Sequence, residues 1–191
     1  FDCTPYIATH EFLKEPLPVT RANSLPGNSR QFDAEALFGA PKTDLQGDFA
    51  NEVKEFKPHA VVFSTMVEDT WPQARTLIES VSGHPSTVIV GGVFATLASH
   101  VPIAHPDVDM ICVGEGEHAI IEVATRLMNR EDCTKIPNLW VKKDGKVVKN
   151  ALRPPVDLND VPFGDFDLFE KERFYRPMQG SVVRMVPIET D

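Results

Sequence analysis

The sequence predicts an open, doubly wound α/β fold, a parallel sheet with helices on both faces. Short apolar runs rich in β-branched residues recur at Ala60-Val61-Val62-Phe63, Thr87-Val88-Ile89-Val90 and Asp109 to Val113. This is the pattern of strands buried on both faces. Between the runs, apolar residues fall at helical spacing, so strands and helices alternate. Each run also ends in small or polar residues: Ser64-Thr65-Met66, Gly91-Gly92 and Gly114-Glu115-Gly116-Glu117. Loops at the carboxyl ends of parallel strands form the ligand crevice of such a sheet, so these three segments share one rim.

The elements follow in order. Phe1 to Tyr6 reads as the tail of a strand, and the rest of residues 1–47 as a long connection broken by Pro16, Pro18, Pro26, Gly27 and Pro41. A connection of that length is usually functional or partly disordered. Asp48 can cap a helix carrying Phe49, Val53 and Phe56, which Pro58 stops. A strand is expected over 60–64. Asp69 or Thr70 caps the next helix, with Pro72 in its first turn, Ala74, Leu77, Ile78 and Val81 inward, and Gly83 at its end. After the strand at 87–90 comes a short helix around 94–100. A strand from Asp109 to Val113 then leads into a helix with Ile120, Ile121, Ala124, Leu127 and Met128 inward. Leu139–Lys143 and Lys146–Lys149 form a β-hairpin about Asp144-Gly145. Beyond it, prolines and aromatics suggest an extended linker, after which Val182 to Ile188 is expected to be the first strand of something that the chain does not contain. The first strand and helix of the sheet are expected to precede Phe1, giving a Rossmann-like or flavodoxin-like core over 1–135 and a hairpin plus linker over 136–191.

Bulk properties narrow the function. With 191 residues there is room for one domain and an appendage. A net charge of −9 leaves no basic stripe for nucleic acid. No apolar run approaches the roughly 18 residues that span a bilayer. Cys3, Cys112 and Cys133 form neither a disulfide framework nor a zinc pattern, which points to a reducing cytoplasm. The six histidines lack metal-ligand spacing, and no nucleophile–base or paired-carboxylate arrangement stands out. No catalytic and no metal-binding residue is therefore assigned. The opening on Phe1 suggests a start inside a longer protein.

The rim residues remain. Ser64 offers a hydroxyl to a ring nitrogen beside the sheet, or simply ends the strand in a turn. Gly91 and Gly92 remove two side chains where the backbone leaves the sheet, permitting close approach of a ligand or of a helix. A G-x-G-x-x-G fingerprint is absent, which disfavours a dinucleotide. Gly114 to Glu117 is a turn with a carboxylate placed favourably at a helix start.

Taken together, Ser64-x-Met66 followed by Gly91-Gly92 resembles the S-x-L and G-G parts of the cobalamin-binding signature. The run Val88 to Thr96, then His105-Pro-Asp-Val-Asp109 and Val113-Gly-Glu-Gly-Glu117, is similar to the amino-terminal cobalamin-binding domain of radical S-adenosylmethionine enzymes. Ile136-Pro-Asn-Leu-Trp140, Arg153-Pro-Pro155 and Leu158-Asn-Asp-Val-Pro162 resemble their connector, and Val186-Pro-Ile-Glu-Thr190 the strand leading to their iron–sulfur loop. The resemblance implies cobalamin as cofactor, with a [4Fe–4S] cluster and S-adenosylmethionine held by a following radical domain outside this chain. It implies contacts from Ser64, Thr65, Met66, Val67 and Glu68, from Gly91, Gly92, Val93, Phe94, Ala95 and Thr96, and from Gly114, Glu115 and Gly116. The D-x-H-x-x-G motif is absent, so base-off binding without a protein imidazole is expected, in an enzyme that is most simply a methyltransferase. Two alternatives stay open: a degenerate domain of the same fold serving interaction or substrate gating, and a flavodoxin-like flavin or nucleotide binder.

Overall fold

The computed structural model describes residues 44–157, 159–168, 174–178 and 181–185. The expected strand tail at Phe1–Tyr6, the connection up to residue 43 and the stretch Val186–Thr190 lie outside them. One compact unit spans Gln46–Pro162; the described residues from Phe163 onward belong to another.

In the first unit the elements are α1 (Leu45–Phe56), β1 (Ala60–Ser64), a 3₁₀ turn (Glu68–Thr70), α2 (Trp71–Ser80) and β2 (Thr87–Gly91). Two short helices follow, α3 (Val93–Leu97) and α4 (His100–Ala104), then β3 (Met110–Cys112), α5 (Glu117–Asn129), β4 (Leu139–Lys143) and β5 (Lys146–Lys149). The sheet runs in the order β1-β2-β3-β4-β5. β1, β2 and β3 are parallel, whereas β4 and β5 are antiparallel additions. The hairpin thus extends the main sheet: Ile111 pairs with Trp140 and Cys112 with Leu139. Asp144 (φ 51°) and Gly145 (φ 72°) adopt the left-handed geometry that matches a two-residue hairpin loop to strand twist.

Strand alternation divides the core. Val61, Phe63, Val88, Val90 and Ile111 face one way and pack with Ile78 of α2, Ala95 of α3 and Ile103 of α4. Phe49 of α1 joins this side through Phe63, ring centroids 5.8 Å apart. The other face carries Ile89, Met110, Leu139 and Val141 against Ala119 and Val123 of α5. Among the described residues, four helices therefore cover the first face and one covers the second. Nothing among the described residues covers the second face of β1, where Val62 is 53% exposed.

Three expectations are corrected. α1 starts at Leu45, so Asp48 lies in its first turn and Phe56 stands in solvent. The helix expected around 94–100 is two short ones, broken at Ala98 (φ −121°, ψ 39°). In α5 the inward line is Ala119, Val123 and Leu127, while Ile120, Ile121 and Met128 are exposed. The reason is packing: small Ala119 lets the helix approach the sheet, and Glu122 on the same side is held by Arg126 and Arg153. In the second unit Tyr175–Met178 (β6) and Ser181–Arg184 (β7) form an antiparallel pair, and Phe166 meets Phe174 edge-on at 5.9 Å. No described helix is long and apolar enough to cross a membrane.

Candidate functional site

The three carboxyl-end loops are laced to one another. Thr65, 1% exposed, gives both its N–H (2.9 Å) and its hydroxyl (3.0 Å) to the Gly91 carbonyl. Its own carbonyl accepts the N–H of Phe94 at 3.0 Å. The Thr96 hydroxyl donates to the Gly92 carbonyl at 3.1 Å and accepts the Gly114 N–H at 2.9 Å, tying the second loop to the third. Asn138, buried and at φ 69°, ties the third loop to the chain beyond the hairpin. Its amide donates to the Glu115 carbonyl at 2.7 Å and its side-chain carbonyl accepts the Arg153 N–H at 2.6 Å. The Glu115 carboxylate accepts the Val156 N–H, and Arg153 reaches Glu122 of α5. Residues 151–156 are thereby strapped beside the rim, and Leu152, exposed, stands next to Gly114.

The two adjacent glycines do different work. Gly92 has φ 93° and ψ −178°, a region open essentially to glycine alone. A Cβ there would sit 2.4 Å from the Thr65 carbonyl oxygen, so this glycine lets loops one and two touch. Gly91 is ordinary strand. A Cβ on it would meet only Cys112 Cβ, at 3.6 Å, and would project over the second face of the sheet.

That missing side chain opens a slot. Its floor is the exposed second face of β1, Val62 and Ser64, beside their register partners Ile89 and Gly91. Cys112 follows across β3, within 3.7 Å of where a Gly116 Cβ would stand. Ile120, 38% exposed, lies about 100° round α5 from buried Ala119, on the flank away from Glu122 and the β4 side. The Ser64 hydroxyl is exposed and makes no hydrogen bond to the described residues. Burial raises the Cys112 thiol above its ordinary 9.0, Glu117 adds to this and Arg153 opposes it, so the thiol is neutral at physiological pH.

The predicted residues therefore divide. Ser64 and Gly91 line the slot; Met66, Val67, Glu68 and Val93 project exposed from the rim. Thr65, Gly92, Thr96 and Glu115 hold the loops together. Ala95 is wholly buried in the first core, and Phe94 stacks on Trp71 at 6.2 Å. Gly114 (φ 81°) and Gly116 shape the third loop, the latter at the mouth of α5. Sequence reasoning missed Asn138, Leu152 and Arg153 as rim builders; an asparagine just before a strand was the one available signal. No group of His, Cys, Asp and Glu suited to a metal occurs among the described residues. A 440 Å³ hollow lies at the opposite, amino ends of β2 and β3, bordered by His84, Ser86, Asp109 and Lys142. Its polar groups serve the fold: Asp109 accepts the Val88 N–H at 2.8 Å and Lys142 donates to the His105 carbonyl.

A slot beside a sheet, opening onto a broad, partly apolar rim, suits a flat ligand with a tail. A family model described as the B12 binding domain matches residues 29–124, about half of the chain. The chain belongs to the B12-binding domain family. Two curated relatives are anaerobic magnesium-protoporphyrin IX monomethyl ester cyclases. The one from Rubrivivax gelatinosus is 28% identical over 152 residues, covering 75% of this chain and 27% of the relative. The one from Synechocystis sp. is 28% identical over 104 residues, covering 52% and 21% respectively. This B12-binding domain thus spans about a quarter of the length of those relatives. In fold it matches the radical S-adenosylmethionine methyltransferase TsrM from Kitasatospora setae, solved with tryptophan substrate and a SAM analogue (aza-SAM). The TM-score is 0.50 at 19% identity, over 56% of this chain and 22% of that one.

Proposed function

We propose that this domain is the cobalamin-binding module of a larger radical S-adenosylmethionine enzyme. The nucleotide tail lies in the slot on the second face of the sheet and the corrin rests on the carboxyl rim. The observation that carries this reading is the pairing of Ser64 with Gly91 in one register. It sets a free hydroxyl beside a missing side chain, on a stretch of sheet face that no described helix covers. Gly91 supplies clearance, Ser64 a hydrogen bond to a ring nitrogen, and Met66, Val67, Val93 and Leu152 an apolar border for a flat macrocycle.

Bound cobalamin supplies the group-transfer chemistry; these residues bind it, orient it and exclude water. Binding is base-off with no protein imidazole beneath the metal. The sequence lacks D-x-H-x-x-G, and His118 lies on the flank of α5 opposite Ile120, away from the slot. The [4Fe–4S] cluster and S-adenosylmethionine belong to a further domain of the enzyme, and methyl transfer is the reaction we favour. The curated relatives are named as cyclases, which makes ring formation the second reading.

A hydroxocobalamin titration followed by gel filtration tests the module. Corrin co-eluting with the chain and showing a base-off spectrum is the expected result. Free corrin beside bare protein refutes the reading and favours a degenerate interaction domain. A spectrum of imidazole-ligated cobalt refutes the base-off part alone.

A further inference from the structure

We propose that occupancy of the rim and closure of the 151–156 strap are one coupled equilibrium. Leu152 is the contact through which a ligand senses the strap, and Arg153 is its positioning residue. This rests on the cobalamin reading above and adds to it a coupling supplied by residues outside the matched family domain.

The family match ends at residue 124, yet residues 151–156 are fastened to the third loop and to α5. The Ala151 carbonyl accepts the Asn138 N–H at 3.0 Å, and the Arg153 N–H is given to the Asn138 side chain at 2.6 Å. The Arg153 guanidinium meets Glu122, and the Val156 N–H is given to the Glu115 carboxylate. Pro154 and Pro155 stand between these two anchors, and their fixed φ stiffens the segment. Asn138 is itself secure, 5% exposed and donating to the Glu115 carbonyl at 2.7 Å.

Leu152 lies between anchored neighbours, yet it is 61% exposed. Its Cδ2 would stand 3.8 Å from a Cβ on Gly114, in the third carboxyl-end loop. A strap that served stability alone would gain most by burying this leucine. Instead it holds an apolar side chain in solvent at the edge of the rim. Because the backbone there is already ordered, covering that side chain costs little further conformational entropy.

The size of the effect follows from the exposure. Covering the 61% of Leu152 that is exposed corresponds to about 4- to 20-fold in affinity. Linkage makes this reciprocal: a ligand that prefers the closed strap by that factor suppresses strap opening by the same factor. Arg153 acts at a distance. Its guanidinium grips Glu122, on the flank of α5 away from Ile120, so its influence on a ligand passes through Leu152.

The test combines two readouts on the chain. One is titration with hydroxocobalamin, followed by quenching of Trp71 and Trp140 fluorescence. The other is hydrogen exchange of the Arg153 and Val156 amides with and without that ligand. Leu152→Ala should weaken binding about 4- to 20-fold and leave thermal melting unchanged, since an exposed leucine contributes little to the fold. Saturation of the wild-type chain should slow exchange at the two amides by about the same 4- to 20-fold. Arg153→Ala should speed that exchange in the free chain and weaken binding, but weaken it no further in a Leu152→Ala background. Full affinity in Leu152→Ala, or unchanged exchange at both amides on saturation, overturns the coupling and leaves the cobalamin reading standing. Full affinity in Arg153→Ala, or a loss that persists undiminished in the double variant, overturns the positioning role. No binding by the wild-type chain overturns the cobalamin reading and the coupling with it.

Discussion

Gly91 and Gly92 are neighbours of identical chemistry, yet the same substitution should act on them in opposite directions. In Gly92→Ala the new methyl group would stand 2.4 Å from Thr65 O, 2.9 Å from Thr65 N and 3.0 Å from Thr65 C. All three are backbone atoms, so relief requires loops one and two to part. Alanine would also be forced into the glycine-only region at φ 93°, ψ −178°, a cost of about 1–3 kcal/mol. Overpacking adds roughly 1–3 kcal/mol. Parting the loops weakens the 3.0 Å bond from Phe94 N to Thr65 O, worth about 1 kcal/mol. A loss of about 3–7 kcal/mol is expected, and since a chain of this size loses about 2–4 °C per kcal/mol, melting should fall by roughly 6–28 °C. Gly91→Ala meets only Cys112 Cβ at 3.6 Å in an extended strand, so it should be neutral or stabilise by up to about 1 kcal/mol. Thermal and urea unfolding of both variants decide the matter. A Gly92→Ala domain melting within about 2 °C of wild type would show that the close approach of the loops is not required.

Two further predictions concern the strap beside the rim. Asn138→Ala removes the 2.7 Å and 2.6 Å bonds to the Glu115 carbonyl and the Arg153 N–H. It should cost about 2–3 kcal/mol and raise hydrogen exchange at 151–156; unchanged exchange there would contradict the strap. For Glu122, partial burial works against the charge, but the Arg126 and Arg153 hydrogen bonds outweigh it and hold the carboxyl below its ordinary 4.5. A depressed folded-state pKa means the stabilisation is present above about pH 4.5 and lost as pH falls through the lower folded value. Melting followed from pH 7 to pH 3 should therefore drop more for wild type than for Glu122→Gln, and parallel curves would sink the assignment.

The local half of this architecture was legible because its causes are local. Three β-branched runs specify buried strands, Ala74, Leu77 and Ile78 mark the inward face of α2, and Asp144-Gly145 dictates the hairpin turn at its observed position. The order of Ser64, Gly91 and the Gly114 loop along the chain places all three at carboxyl ends once the strands are parallel. Which side of α5 turns inward was not legible. Ile120, Ile121, Ala124 and Met128 form the more apolar stripe, but contact with the sheet rewards the small Ala119 and the clasp on Glu122.

By itself, then, the sequence determined the strands, their turns and the rim on which a ligand can sit, because periodicity and turn chemistry act over a few residues. Only the tertiary structure decided that the hairpin joins β3 antiparallel, that Gly91 opens a slot while Gly92 closes two loops, and that Asn138 and Arg153 strap the rim. Each of these depends on atoms 15 to 31 residues apart meeting at contact distance. No pattern along the chain records such a meeting, because the space each side chain finds is set by the packing of elements distant in sequence.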